Sequence, residues 1–256
     1  ASDVYKRQGG EIGEVAEAFN AMAARLEADD RLRREFLAAV AHELRTPLAN
    51  VQAHLEAFLD GVAEPTPERI AALHTQTVLL SRLVSDLRDL TLAQAGVLPL
   101  QHTHVDLGEV CREVVEALQP WFEERAVIAE LHVEGTVQAW GDLQRVRQVV
   151  QNLVHNAVRF SPAGGRVRLS LAVRGAWAEV AVEDEGPGIS PEDLERVFEP
   201  FYRADPSRSR QAGGSGLGLA VVKHLVLAHG GTVWAERRPE GGTRFVVRLP
   251  VASAPP

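Results

Sequence analysis

Two apolar stripes separated by a short break constrain this chain more than anything else in it. Leu37, Val40, Leu44, Leu48, Val51 and Leu55 step by three or four residues, and Ile70, Leu73, Thr77, Leu80, Val84 and Leu87 repeat the pattern. That period predicts two amphipathic helices. Between them stand Gly61, Pro65 and Pro67, and a proline after a short loop fits the start of the second helix. Both stripes are narrow seams. A lone hairpin of this kind buries too little surface to be stable, so the expected solution is a four-helix bundle made by two copies of the chain, a homodimer.

Upstream, Ile12, Val15, Phe19, Met22 and Leu26 predict a further amphipathic helix. Asp3 to Gln8, DVYKRQ, breaks off abruptly before a glycine pair and reads as a sequencing or cloning scar, since one codon reading is a transposon end used in library preparation. Re-sequencing the source locus tests this. Downstream, Gly96 to His104, with Pro99, reads as a linker into a second domain. There Asp106 is placed to cap a helix reaching about Gln119, and Asp142 another reaching about Phe160. Val167–Val173 and Trp177–Glu183 alternate as half-buried strands, and Thr232–Glu236 with Thr243–Leu249 read as a hairpin. The fold class expected is therefore an α-helical hairpin forming a dimeric four-helix bundle, followed by an α/β sandwich. The segments expected are 1–8 (scar), 9–30 (upstream amphipathic helix), 31–97 (hairpin), 103–250 (α/β domain) and 251–256 (disordered tail).

Composition narrows the function. A formal charge of -8, without a basic stripe, argues against nucleic acid as the main partner. Cys111 is the single cysteine, so no internal disulfide ties the fold to an oxidising compartment, and cytosol is the natural reading. No apolar run approaches the ~20 residues that span a bilayer, and nothing resembles a signal peptide.

Four stretches carry chemistry. In FLAAVAHELRTPL, His42 and Thr46 both fall opposite the apolar stripe, one turn apart, so an accessible imidazole is expected beside Glu43, a carboxylate able to orient the ring or accept its proton. On an arbitrary helix such a histidine is usually just solvated; Pro47, inside an otherwise regular seam, marks a kink of functional interest. In RVRQVVQNLVHNAVRFSPAGG, Asn152 and Asn156 lie one turn apart, away from Val146, Val150, Leu153 and Ala157. Their carbonyl oxygens suit a hard cation such as Mg²⁺, although a polar pair on a solvent face is commonplace. The glycine-rich EDEGPGI and GGSGLGL suit a nucleotide: glycines permit close backbone approach, the second run opens a helix whose amides can receive phosphate, and Asp184 at a strand end can accept from an adenine amino group. Either run alone is weak. Between them Ala204 to Ala212 has the composition of a mobile lid.

In this order and spacing the four stretches closely resemble sensor histidine kinases of two-component systems, over nearly everything from Gly10 to Leu249. In that family HELRTPL is the phosphoacceptor motif, NLVHNAVRF binds Mg²⁺ and nucleotide, and DEGPGI with GGSGLGL completes a Bergerat-type ATP site; GEIGEVAEAFNAMAARLE resembles the end of a HAMP signal-relay module. The resemblance implies His42 as phosphoacceptor, Glu43 as its base and Thr46 as a residue helping dephosphorylation. It also implies Asn156 as principal Mg²⁺ ligand with Asn152 assisting, Asp184 as the adenine contact, and Gly186, Gly188, Gly214, Gly216, Leu217 and Gly218 as pocket residues. Arg159 and Phe160 stand where lysine and tyrosine are frequent; charge and ring are retained, but guanidinium and ammonium bind phosphate differently. ATP and Mg²⁺ are the implied cofactors, and a response-regulator receiver domain is the implied partner. An upstream sensor, anchored in a bacterial inner membrane, is implied to be missing. A clamp ATPase resembling gyrase, mismatch-repair or heat-shock proteins is the enzymatic alternative, and HELRTPL argues against it. A degenerate, scaffold-only kinase would need loss of acceptor, Mg²⁺ or glycine residues, and none is lost.

Overall fold

The computed structural model describes residues 2–204 and 216–251, with side chains in the first helix described from Phe19 on, except at 28, 29, 32 and 33. The expected scar, the Ile12 and Val15 side chains, Gly214, nearly all of the 204–212 stretch and the 252–256 tail therefore lie outside the described residues or side chains. The chain divides into two compact units, Ala1–Leu80 and Ser81–Pro256.

The first unit holds α1 (Ser2–Leu59) and the start of α2 (Pro67–Gln94). α1 is one continuous helix, where two successive helices were expected around residue 30. No glycine or proline interrupts 14–46, so nothing local stops propagation. It continues through Pro47, which is buried. Having no N–H, Pro47 cannot donate the usual helical bond to the carbonyl four residues before it. α2 begins on Pro67, as the sequence predicts, with Thr66 Oγ1 accepting from the Arg69 N–H at 3.5 Å. The seam is largely uncovered in a single chain: Leu37, Leu48, Leu55 and Ile70 are 56%, 48%, 47% and 52% exposed.

In the second unit the end of α2 buries Leu83, Asp86, Asp89 and Leu90, while Val84 of the expected seam stays exposed. Next come β1 (Thr103–Asp106), α3 (Leu107–Ala117), α4 (Gln119–Glu124), β2 (Ile128–Val133) and β3 (Gln138–Gly141). After them follow α5 (Leu143–Phe160), β4 (Arg166–Arg174), β5 (Trp177–Glu183), α6 (Gly218–Ala228), β6 (Thr232–Arg237) and β7 (Thr243–Pro250). Five strands form one sheet in the order β2-β4-β5-β7-β6, parallel only between β2 and β4, and β1 pairs antiparallel with β3 in a separate ribbon. Both predicted caps form: Asp106 accepts from the Glu109 N–H, and Asp142 from those of Gln144 and Arg145. The expected linker ends in strand, because Thr103 and His104 pair with Gly141 and Trp140.

The core lies between one sheet face and the helices. It joins Val110 and Val114 of α3, Val150 and Leu153 of α5, and Val222 and Leu225 of α6 to Leu169, Val180, Phe245 and Val247 of the strands. Each such side chain contributes ~1.5–3 kcal/mol by leaving water. Charged side chains on the strands form a lattice that joins Arg168 to Glu130, Arg248 to Glu179 and Arg244 to Glu183. α5 and α6 pack side by side on the sheet, and their facing ends form the candidate site.

Candidate nucleotide-binding site and phosphoacceptor helix

Asp184 follows the last residue of β5 and is buried. Its Oδ1 accepts two backbone N–H groups, from Gly186 at 2.9 Å and Thr243 at 3.2 Å, while Oδ2 has no hydrogen bond among the described residues. The main chain is fixed as well, since the Asp184 N–H donates to Thr243 O at 2.9 Å and Arg238 Nη1 donates to Asp184 O at 2.7 Å. Burial pushes the carboxyl up to about 6, against the lowering effect of the two N–H donors and Arg238. One oxygen is thus locked and the other is left to a ligand. The loop after Asp184 lies on the end of α5: a Cβ at Gly186 would stand 2.7 Å from the Phe160 carbonyl oxygen. Gly188, with φ +77, lies against Gly242.

Asn152 departs from expectation. It is buried, with Oδ1 accepting from Arg82 Nη2 at 2.6 Å and Nδ2 donating to Gly218 O at 3.4 Å. The helical wheel places it on the face away from Val146, Val150, Leu153 and Ala157, but that side of Asn152 meets Gly218 of α6 and Arg82 of α2, and a wheel knows only its own helix. Asn156, one turn on, is half-buried and its carboxamide makes no hydrogen bond among the described residues.

α6 starts at Gly218 with no side-chain cap, so its first amides remain for a ligand, and its start adjoins Asn152. Leu217 is buried beneath it. Gly216 requires its glycine: φ is +72, and a Cβ would stand 2.9 Å from Phe201 backbone atoms. Phe201, itself at φ 63, donates to Gly216 O at 3.0 Å, fastening together the two flanks of the segment between them.

Four arginines stand around this end of α5. Arg82, Arg159 and Arg125 act electrostatically on His155, and Arg203 and Arg125 on Arg159. Burial first, then these cations, lowers His155 to about 3 and Arg159 to about 10. Arg159 also lies over the Phe160 ring at 5.0 Å, and His155 stacks on Trp121 at 3.8 Å. In a chain of net charge -8, such a basic rim suits an anionic ligand. Thr243, Arg238, Arg82, His155 and Phe201 were not singled out in the sequence. Only Gly241-Gly242-Thr243, a glycine-rich turn between two strands, offered a signal.

The phosphoacceptor motif belongs to the first unit. His42 and Thr46 are exposed and Glu43 is half-buried. Thr46 Oγ1 donates back to the His42 carbonyl at 3.3 Å.

Two family models match successive parts of the chain, the earlier one along the chain across the boundary between the two units. Residues 141–253 match the family described as histidine kinase-, DNA gyrase B-, and HSP90-like ATPase, and residues 32–96 match the His Kinase A (phospho-acceptor) domain. The signal transduction histidine-protein kinase BaeS of Escherichia coli is 37% identical over 241 residues, covering 94% of this chain and 52% of BaeS. The histidine-protein kinase/phosphatase MprB of Mycobacterium ulcerans is 36% identical over 244 residues, covering 91% of this chain and 46% of MprB. Among solved structures, Acinetobacter baumannii histidine kinase AdeS superposes with a TM-score of 0.70 at 32% identity, covering 83% of this chain and 98% of that one. The chain belongs to the histidine kinase family. It spans about half the length of the curated relatives it matches. Among the described residues no helix is long and apolar enough to cross a membrane.

Proposed function

We propose that this chain is the catalytic portion of a sensor histidine kinase, which transfers the γ-phosphoryl group of ATP to His42 and then to an aspartate of a response-regulator receiver domain. The observation that carries the nucleotide assignment is the pairing of Asp184, with one oxygen locked and one spare, with the uncapped start of α6 beside Asn152. Asp184 accepts from the adenine amino group, and the α6 amides and the basic rim receive the phosphates. A ring nitrogen of His42 attacks the γ-phosphorus, the bond to the β-bridging oxygen breaks, ADP leaves, and Glu43 takes the ring proton. The receiver aspartate then attacks the same phosphorus and the P–N bond breaks. Positioning and charge neutralisation supply most of the barrier reduction.

Mg²⁺ fits the residues present. Mg²⁺ keeps waters and phosphate oxygens and takes few protein ligands, and the half-buried Asn156 carboxamide, without a hydrogen bond among the described residues, has an oxygen to offer it. Asn156 would hold it, with Asn152 assisting once its oxygen leaves Arg82, and the ion would neutralise phosphate charge. The exposed seam of α1 and α2 supports a homodimer whose four-helix core hides those leucines. A phosphatase activity toward the regulator, with Thr46 orienting water, fits the kinase/phosphatase in the name of MprB. We read the whole protein as anchored in a bacterial inner membrane through an upstream sensor, with this portion in the cytoplasm.

Incubation with γ-labelled ATP and Mg²⁺ tests the central reading. The label should be acid-labile and alkali-stable, and His42→Ala should abolish it while ATP binding stays within about twofold. Substantial acid-labile label in that variant refutes the assignment.

A further inference from the structure

We propose that His229 is a positioning residue that sets the axial register between α5 and α6, the two helices carrying the triphosphate end of the site. This rests on the nucleotide reading above.

α6 is pinned to α5 at both of its own ends. At one end Asn152 Nδ2 donates to Gly218 O at 3.4 Å. At the other, the Asp142 N–H donates to His229 Nε2 at 3.0 Å. From Asp142 to Asn152 is ten residues and from Gly218 to His229 eleven, so the two spans are about 15 Å and about 16 Å at the helical rise. The lengths match, and a slip of one helix past the other must break a pin.

His229 has the chemistry of a strut. It is 5% exposed, and its Nδ1 lies 2.7 Å from Leu225 O, which can only accept. The proton therefore sits on Nδ1, leaving the Nε2 lone pair for Asp142. Burial holds the ring below the ordinary histidine range, with the Leu225 carbonyl and Asp142 acting against it and His102 and Arg145 acting in the same direction. No side chain fits beneath it: a Cβ at Gly141 would stand 2.8 Å from His229 Cδ2. The base of the strut is fixed too. The Gly231 N–H donates to Val226 O at 2.9 Å, and a Cβ at Gly231 would overlap the Arg248 carbonyl oxygen on β7. Asp142 has its carboxylate occupied by the Gln101, Gln144 and Arg145 amides, and its own N–H is what His229 satisfies.

Register matters because Asn152 and Asn156 ride on α5 while the uncapped amides ride on α6, and both must meet the same phosphates. A misplacement of about 1 Å at such a site costs on the order of 10²-fold. Asp184 is held instead by Gly186 and Thr243, so adenine recognition does not pass through the strut.

Two amide substitutions separate the strut from bulk stability. Asparagine can keep the Nδ1-type bond to Leu225 but cannot reach Asp142, whereas glutamine can place an acceptor near the Nε2 position. In the full chain, H229N should weaken Mg²⁺-ATP binding ten- to a hundredfold and lower the autophosphorylation rate, while adenosine affinity stays within twofold. H229Q should recover Mg²⁺-ATP affinity to within about threefold. Equal loss for adenosine and ATP, or Asn and Gln variants that cannot be told apart, overturns the proposal while leaving the nucleotide reading intact. Failure of the unmodified chain to bind either ligand overturns both.

Discussion

Replacing His155 with phenylalanine should flatten the acid limb of the stability profile. The ring stacks on Trp121 with planes 19° apart, and burial together with Arg82, Arg159 and Arg125 lowers its folded pKa to about 3, against 6.5 for the free group. The sign follows from linkage. A base whose folded pKa is depressed contributes stability that is full above the unfolded pKa and lost as pH falls toward the folded one, because only the unfolded chain takes up the proton. At ~1.4 kcal/mol per pH unit, the loss is roughly 1 kcal/mol by pH 5.5 and roughly 3 kcal/mol by pH 4.5. Asp86 and Asp184, both raised to about 6, act in the opposite sense, with stability full in acid and lost as pH rises through about 6. They are present in both chains and cancel in the difference. Phenylalanine keeps the stack and the burial and removes only the titration. Urea midpoints followed by circular dichroism between pH 7.5 and 4.5 give the two profiles. A variant that loses as much stability as the parent over that range refutes the assignment of the cost to this ring.

Asp184→Asn should weaken ATP binding at least tenfold. Because Oδ1 already serves two donors, a proton must enter on Oδ2, so affinity in the unmodified chain should fall as pH drops through about 6; calorimetric titration showing no such fall counts against the adenine contact. Gly242→Ala puts a Cβ onto the Asp184 carbonyl oxygen at φ +88 and should cost roughly 2 kcal/mol or more along with nucleotide affinity, and an unchanged melting temperature refutes that packing argument. Thr46→Ala should leave autophosphorylation intact and slow dephosphorylation of the regulator, both measured on one preparation. Equal loss of both points to structural damage through the bond to the His42 carbonyl, and undiminished phosphatase activity removes Thr46 from water positioning.

What this sequence determined alone was local. Asp106 and Asp142 cap the predicted helices, α5 ends at Phe160, and Trp177–Glu183 is a strand, because periodicity and capping act over a few residues that the chain itself makes neighbours. The glycine runs and Asp184 were legible for the same reason. β1 was not: four residues, THVD, are too short to show alternation, and their partner lies in β3, some thirty-five residues on. Nor was the parallel pairing of β2 with β4, or the seam of α2 giving way to Leu83 and Leu90. The tertiary structure alone decided which polar groups meet. Arg82 reaches Asn152 across 70 positions, Thr243 reaches Asp184 across 59, and His229 reaches Asp142 across 87. A buried polar group must find a partner wherever the fold brings one, and no spacing along the chain encodes a bond between residues that only packing makes adjacent.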